Sequence, residues 1–261
     1  MIQYWENMIS REIGAVDKAH AAVLLPVSAV EQHGPHLPVG TDAIILRALL
    51  KNFSKVTGHF QEDEVIIAPQ ITVGKSNEHM DFPGTMTLTA KTMYDVIDEY
   101  TSAIAKWGFR KLILTNSHGG NTDLLNLLSR DLRIKYGMEI YVFDWWFTDF
   151  WKEILQKVQE SKSPYGVFHA CELETSLMLH IAPQMVDMEQ AKDETPDRQF
   201  EGDRFISLYG PVTMGWKTRD VSHSGVIGDP EEASAEKGQV LMDFAVQKLT
   251  AIIEEILQFH Y

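Results

Sequence analysis

The segment Glu31-Gln32-His33-Gly34-Pro35-His36, followed by Asp42, carries side chains that can bind metal ions and transfer protons. The preceding residues 21–30 (AAVLLPVSAV) are strongly apolar and predict a buried strand. Because alternate residues of an extended segment point the same way, Glu31 and His33 can reach one point, and Asp42 can join them. Carboxylates beside an imidazole suit divalent Zn, Mn or Fe, and a carboxylate can bridge two ions. The alternative is that Asp42 only caps the helix that follows it.

A second histidine also follows an apolar strand. Residues 111–116 (KLILTN) predict a strand that leads directly into His118, Gly119 and Gly120. The two glycines lack a Cβ, so a substrate or an ion can approach the backbone closely, and their amides are placed to stabilise an oxyanion. Ligand sites in parallel sheets form beyond the carboxyl ends of strands, so we expect His118 to meet the first cluster in one crevice.

A third cluster opens an apolar helix at residues 169–181 (HACELETSLMLHI). His169 and Glu172 are three residues apart and are neighbours on a helix, whereas Glu174 aligns with the apolar stripe and needs a buried partner. The alternatives are that Glu172 is a solvated acid at a helix N-terminus and that Glu174 pairs with an unrelated donor. We interpret Cys171 as a small packed residue rather than a thiol nucleophile.

Polar residues also follow the short apolar segment 65–69. Ser76, Glu78 and His79 lie beyond it, near the same expected edge of the sheet, and are candidate substrate contacts. Residues 82–85 (FPGT) predict a turn in almost any protein.

Apolar strands alternate with amphipathic helices along the chain, which predicts an α/β fold in a single domain covering residues 1–261. Residues 191–223 have poor periodicity and are rich in Gly, Pro, Asp and Thr, which predicts an extended irregular segment. The predicted strands are 21–30, 65–69, 111–116 and 139–146, and the predicted helices are 42–53, 90–107, 122–136 and 231–257.

Composition excludes several classes of protein. The chain has 37 acidic and 23 basic side chains and a formal net charge of −14, which disfavours nucleic acids and anionic membranes as partners. The single cysteine excludes an internal disulfide, and no secretory signal or transmembrane stretch is visible. We therefore expect a cytoplasmic enzyme that acts on a small molecule.

Five blocks of the sequence, taken together, resemble those of the creatininase (creatinine amidohydrolase) family. The resemblance spans nearly the whole chain, and it implies a layered α/β/α fold with a mostly parallel sheet, a binuclear divalent-metal centre and a homo-oligomer, usually a hexamer. The blocks are 27–42 (VSAVEQHGPHLPVGTD), 76–88 (SNEHMDFPGTMTL), 116–121 (NSHGGN), 169–179 (HACELETSLML) and 225–230 (GVIGDP) with 235–238 (AEKG).

The resemblance also implies roles for individual residues. By position, Glu31, Asp42 and His118 match the ligands of one metal ion, and His33 with Asp42 match ligands of the other, with Asp42 bridging the two. His169 matches the histidine assigned to proton transfer.

Several positions depart from creatininase itself. Gly120 stands where that enzyme has a glutamate, so we expect another carboxylate to complete the second site. Glu172 is the first candidate and Glu174 is the alternative ligand or a partner of a ligand. Gly119 replaces a tyrosine and Tyr165 replaces the tryptophan that closes over creatinine, so both positions, with Gly120, are expected to contact a substrate other than creatinine.

The sequence therefore predicts a hydrolase that cleaves the C–N bond of a small cyclic or formylated amide, using water held on two ions of Zn, Mn or Fe. His169 would transfer the proton to the leaving nitrogen. Two other reactions of the family stay open, namely hydrolysis of a C–C bond in a cyclic polyol ketone and trimming of a short peptide. A rival of a different class is a metal-free binding or assembly protein that keeps the fold.

Overall fold

The centre of the protein is a sheet of parallel strands. The computed structural model describes residues 1–60, 63–145, 148–162, 167–196, 205–207 and 212–259. Within these residues five strands pair in the order β1-β3-β2-β4-β5, and every pairing is parallel. The strands are β1 (Ile2–Tyr4), β2 (Ala21–Val27), β3 (Glu64–Ile67), β4 (Lys111–Asn116) and β5 (Glu139–Asp144).

The strand β2 shows why the sheet is covered on both faces. All of its residues are buried, as expected of a central parallel strand without polar alternation. Its side chains alternate between two apolar clusters, with Leu24 in one and Val23 and Leu25 in the other.

Helices form a layer on each face of the sheet, so the predicted α/β/α fold is confirmed. The layer that packs with Leu24 contains α2 (Thr41–Phe53), α5 (Thr148–Val158), α6 (Glu172–Ile181) and α8 (Ala235–Gln258). The opposite layer contains α1 (Ser10–Ala15), α3 (Ala90–Lys106) and α4 (Thr122–Tyr136). None of the helices within the described ranges is both long enough and apolar enough to cross a membrane.

The helices α6 and α8 approach each other unusually closely. A Cβ built on Gly238 of α8 would lie 1.9 Å from the carbonyl oxygen of Ser176 and 2.7 Å from the Cβ of His180, both on α6. The absence of a side chain at position 238 therefore sets the distance between the two helices.

The C-terminal end of α8 is held by a buried lysine of the sheet. Lys111 Nζ donates to the carbonyl oxygens of Ile256, Leu257 and Phe259, and lies 3.3 Å from Glu139 Oε2. A cation at this end also complements the partial negative charge of the helix terminus.

Element boundaries agree with the sequence pattern except where a turn intervenes. The predicted strand 21–30 ends at Val27, because Ser28 leaves the sheet and bonds through its amide to the carbonyl of Ile71. The last helix begins at Ala235 rather than 231, because residues Pro230–Glu232 form a separate turn and Ser234 caps the helix. In the irregular region, β6 (Ile206–Ser207) pairs with β7 (Val212–Thr213), and α7 (Thr218–Val221) follows.

Candidate metal centre

The first and second clusters meet because their strands are neighbours. Val27 at the end of β2 pairs with Asn116 at the end of β4, so both strands deliver their following residues to the same edge of the sheet. Glu31 follows β2, His118 follows β4, and Asp42 lies in the first turn of α2. The predicted convergence at one edge is therefore present in the fold.

Two carboxylates share one nitrogen of His118. Glu31 Oε2 lies 3.1 Å and Asp42 Oδ2 3.6 Å from His118 Nδ1, and all three residues are buried. No described residue donates a well-formed hydrogen bond to either of these oxygens. Buried carboxylate oxygens without donors are unusual, and their convergence on an imidazole nitrogen fits a divalent cation well.

A second group of ligand atoms surrounds His33. Its Nε2 lies 3.3 Å from Asp42 Oδ1 and 3.2 Å from Glu174 Oε1, while its Nδ1 donates to the carbonyl of Glu31 at 3.0 Å. Candidate ligand atoms of His33, His169 and Glu174 lie within 4.8 Å of one another. Asp42 turns one oxygen to each group and so lies between them.

His169 is held by Gln32, the residue between Glu31 and His33. Its Nε2 lies 2.8 Å from the carbonyl oxygen of Gln32, to which it donates, and its Nδ1 lies 3.8 Å from Glu31 Oε1. The Gln32 side chain donates to His79 Nδ1 at 2.9 Å and to the carbonyl of Gly225 at 3.1 Å. Sequence reasoning missed Gln32, and its only signal was its place between Glu31 and His33.

The loop that carries His169 is strained and fixed from outside. Ala170 has φ of 52°, which is uncommon for a residue with a side chain. His169 and Ile227 exchange backbone hydrogen bonds of 3.0 and 2.9 Å, so the 225–230 block forms a wall of the site. Thr218, which sequence reasoning also missed, places its hydroxyl 3.0 Å from His79 Nδ1.

The site raises one carboxylate pKa and lowers another. Burial and the charge of Glu31 raise the pKa of Asp42 to about 6, although His33 and His118 oppose this. Burial alone would raise the pKa of Glu31, but His118, whose Nδ1 lies 3.1 Å from the carboxylate, holds it well below its ordinary value. The two carboxylates are therefore electrostatically unequal.

The pKa values of the histidines are also shifted in opposite directions. Burial lowers the pKa of His33, but Glu174 and Asp42 outweigh burial and raise it well above its ordinary value. Burial also lowers the pKa of His118, but Glu31 and Glu78 outweigh burial and raise this pKa well above its ordinary value. For His169, burial together with His33 and His79 holds the pKa well below its ordinary value, so this ring stays neutral.

The other predicted contact residues surround His118 and His79. Ser76 Oγ lies 3.2 Å and Glu78 Oε1 3.5 Å from His118 Nε2, and His79 Nε2 lies 3.6 Å from Glu31 Oε1. Glu31, His79 and His169 form a third group of possible ligands. A Cβ on Gly119 would meet no atom within 4 Å, whereas one on Gly120 would be crowded. Tyr165 lies outside the described residues.

Glu172 requires a correction. Its carboxylate accepts from Lys237 Nζ at 2.7 Å and from the backbone amides of Glu160 and Ser161. The first turn of α6 directs Glu172 to this lysine and directs Glu174 to His33, with Glu174 Oε2 facing the amide of Cys171 at 3.4 Å. The structure thus brings the alternative residue, Glu174, to the cluster.

Two further residues near the site have structural roles. His36 Nε2 lies 2.9 Å from Thr175 Oγ1, and burial together with His33 lowers its pKa to about 4. Burial and Glu174 raise the pKa of the Cys171 thiol well above its ordinary value, so the thiol stays protonated. Cys171 is buried, as expected of a packed residue.

The chain is similar to several known proteins in sequence and in fold. The mycofactocin precursor peptide peptidase of Mycobacterium ulcerans (strain Agy99) is 31% identical over 223 residues, covering 84% of this chain and 78% of the relative. The creatinine amidohydrolase of Pseudomonas putida is 28% identical over 247 residues, covering 89% of this chain and 88% of the relative. A solved structure described as "Creatininase Mn" has a TM-score of 0.77 at 24% identity, covering 98% and 99% of the two chains.

The family model "Creatininase: Creatinine amidohydrolase" matches residues 6–253, which is nearly the whole chain. The relatives are hydrolases, and the resemblance seen in the sequence blocks is confirmed by this match. The chain therefore belongs to the creatininase (creatinine amidohydrolase) family.

Proposed function

We propose that this protein is a metal-dependent amidohydrolase whose single domain, residues 1–261, holds two divalent ions side by side. The observation that carries the proposal is the pair of buried oxygens, Glu31 Oε2 and Asp42 Oδ2, that face His118 Nδ1 without a hydrogen-bond donor among the described residues. Such groups are expensive to bury unless a cation compensates them.

The ligand sets follow from the two groups. Glu31, Asp42 and His118 would hold one ion, and His33, Asp42 and Glu174 the other. Asp42 would bridge them through its two oxygens. A donor set of carboxylates and imidazoles suits Zn, Mn or Fe, and one solved relative is described as a manganese form.

The residues around the ions have separate tasks. When bound, divalent ions polarise a scissile carbonyl and lower the pKa of a water molecule towards neutrality. His169 keeps its ring hydrogen on Nε2, which donates to the carbonyl of Gln32, so Nδ1 is free to take a proton and deliver it to the leaving nitrogen. The lowered pKa of His169 leaves Nδ1 unprotonated before the reaction, and it means that a proton taken up there passes readily to the leaving nitrogen.

The substrate we propose is a small cyclic or formylated amide, hydrolysed at its C–N bond. Ser76, His79 and the backbone of Gly119 and Gly120 lie around His118 and are the candidate contacts. A peptide bond is the second candidate, because a Cβ on Gly119 would meet only open space and a relative of 31% identity is named as a peptide peptidase. Mass spectrometry of the hydrolysed or ring-opened products of formamidopyrimidines, small lactams, creatinine and short peptides distinguishes these substrates.

Metal content tests the proposal directly. Protein loaded with Zn²⁺ or Mn²⁺ and desalted should contain two ions per chain by elemental analysis. Glu174→Gln should retain one ion, because only the His33 group loses a charged ligand. Glu172→Gln is the matched control and should retain two, since that carboxylate pairs with Lys237.

Two outcomes would count against this assignment. Loss of an ion from Glu172→Gln, with Glu174→Gln intact, would reverse the roles of the two glutamates. Wild-type protein that takes up no metal would instead support the rival, a metal-free binding or assembly protein.

We also propose that the protein is cytoplasmic and forms a homo-oligomer, specifically a hexamer. The support is the family resemblance. The net charge of −14 argues separately against nucleic acids and anionic membranes as partners. Light scattering on the purified protein should give the mass of six chains.

A further inference from the structure

The second ring nitrogen of His118 has its own set of partners. While Nδ1 faces the carboxylates of the metal site, Nε2 lies 3.0 Å from the carbonyl oxygen of Lys75, 3.2 Å from Ser76 Oγ and 3.5 Å from Glu78 Oε1. A histidine that offers one nitrogen to a cation carries its hydrogen on the other. The groups around Nε2 therefore control the tautomer and the orientation of the ring.

Glu78 contributes the only negative charge among these three partners. It lies on the short turn Asn77–His79, and its side chain is only 14% exposed. Lys75 Nζ lies 3.9 Å from the other carboxylate oxygen, Glu78 Oε2. The Lys75 carbonyl is closer to Nε2 and takes the hydrogen bond, so the carboxylate acts on His118 mainly through its charge.

The space for this arrangement exists because position 120 has no side chain. A Cβ on Gly120 would lie 2.3 Å from Glu78 Oε1 and 2.4 Å from His118 Nε2. Any side chain there would have to displace the carboxylate or the imidazole ring. Glu78 can therefore lie close to His118 only because residue 120 is a glycine.

We propose that Glu78 is a positioning residue whose negative charge beside Nε2 of His118 keeps the ring hydrogen on that nitrogen and strengthens Nδ1 as a metal ligand. This inference rests on the proposed function, and it replaces the expectation that Glu78 contacts substrate. Outer partners of ligating histidines typically change metal affinity by about 10- to 100-fold. Because the Lys75 carbonyl remains in every variant, we expect the lower end, about 10-fold.

Zinc affinity of the full chain is the decisive measurement. Metal-free wild type, Glu78→Ala, Glu78→Gln and the control Asn77→Ala are titrated with Zn²⁺ against a chromophoric chelator. Both Glu78 variants should lower the affinity for one of the two Zn²⁺ ions about 10-fold and leave the affinity for the other unchanged. Asn77 is exposed and its side-chain oxygen accepts a hydrogen bond from Lys75 Nζ, so its side chain faces away from His118 and Asn77→Ala should bind Zn²⁺ like wild type.

Glu78→Gln protects the test against misfolding, because it keeps the shape and an acceptor oxygen while removing the charge. The thermal midpoint of each metal-free variant is measured alongside. Wild-type affinity in both Glu78 variants would overturn the inference and return Glu78 to the substrate contacts, while the two-ion site would stand. Wild-type protein that binds no Zn²⁺ would remove the proposed function and this inference together.

Discussion

Replacing Asp42 with asparagine should stabilise the metal-free protein while abolishing its response to metal. The pKa of Asp42 rises from its ordinary value of 3.8 to about 6, because the carboxylate is buried and faces Glu31. At about 1.36 kcal/mol for each pKa unit, ionised Asp42 destabilises the metal-free fold by about 3 kcal/mol. For a chain of this size that corresponds to roughly 6–12 °C in the thermal midpoint.

The sign and the pH window follow from linkage. A carboxyl whose pKa is higher in the folded state than in the unfolded state destabilises the fold once it ionises there. The penalty is fully present above pH of about 6 and disappears below the unfolded value near 3.8. Asp42→Asn should therefore be more stable than wild type at pH 8 and equal to it near pH 3.5.

Thermal and urea unfolding in the presence of a chelator measure this difference. With saturating Zn²⁺ the order should reverse, because each site filled at 100 times its Kd adds about 2.7 kcal/mol to the wild type alone. A metal-free Asp42→Asn protein that is less stable than wild type at pH 8 would refute the reasoning. So would a difference that is the same at pH 8 and pH 4.

Two further predictions concern residues outside the cluster. Glu194 accepts from Ser222 Oγ at 2.9 Å and from the amide of Ser224 at 2.8 Å, and although burial opposes it, these bonds lower its pKa. A lowered pKa means that the ionised carboxylate stabilises the fold above pH of about 4.5 and that this stability is lost as the pH falls further. Glu194→Gln should therefore be less stable than wild type by about 1 kcal/mol at pH 7, after allowance for solvent screening. The difference in stability should disappear in acid, and a difference that persists at pH 3 would contradict this. Lys111→Met should lower the free energy of unfolding by about 3 kcal/mol, because three carbonyls at the end of α8 lose a charged donor, whereas an unchanged urea midpoint would show that water replaces it.

The layered fold was predictable because the strongest local patterns agree with the tertiary structure. The strand β4 and the helix α4 have the predicted bounds, since residues 112–114 of KLILTN are uniformly apolar and Gly137, at φ of 64°, ends the helix in the left-handed conformation. Parallel pairing then placed Glu31 and His118 at one edge.

The finer features of the site depended on contacts that no local pattern contains. Helical spacing places Glu174 on the apolar face, but residues 169–181 do not reveal that Glu172 pairs with the distant Lys237, so the sequence favours Glu172 as the ligand. Gln32 was missed for a similar reason, since its amide contacts His79 and Gly225, both remote in sequence. Convergence could be predicted, whereas the division of labour between neighbouring side chains could not.

Because α6 and α8 lie so close together, the position of Glu174 beside His33 depends on a residue outside the candidate metal centre. A methyl group added at Gly238 would press against the carbonyl oxygen of Ser176 and force the two helices apart. Ser176 lies two residues beyond Glu174 on the same helix. Mutations should thus be tolerated least at the candidate metal centre and also at Gly238, where no side chain larger than a hydrogen atom fits between the two helices.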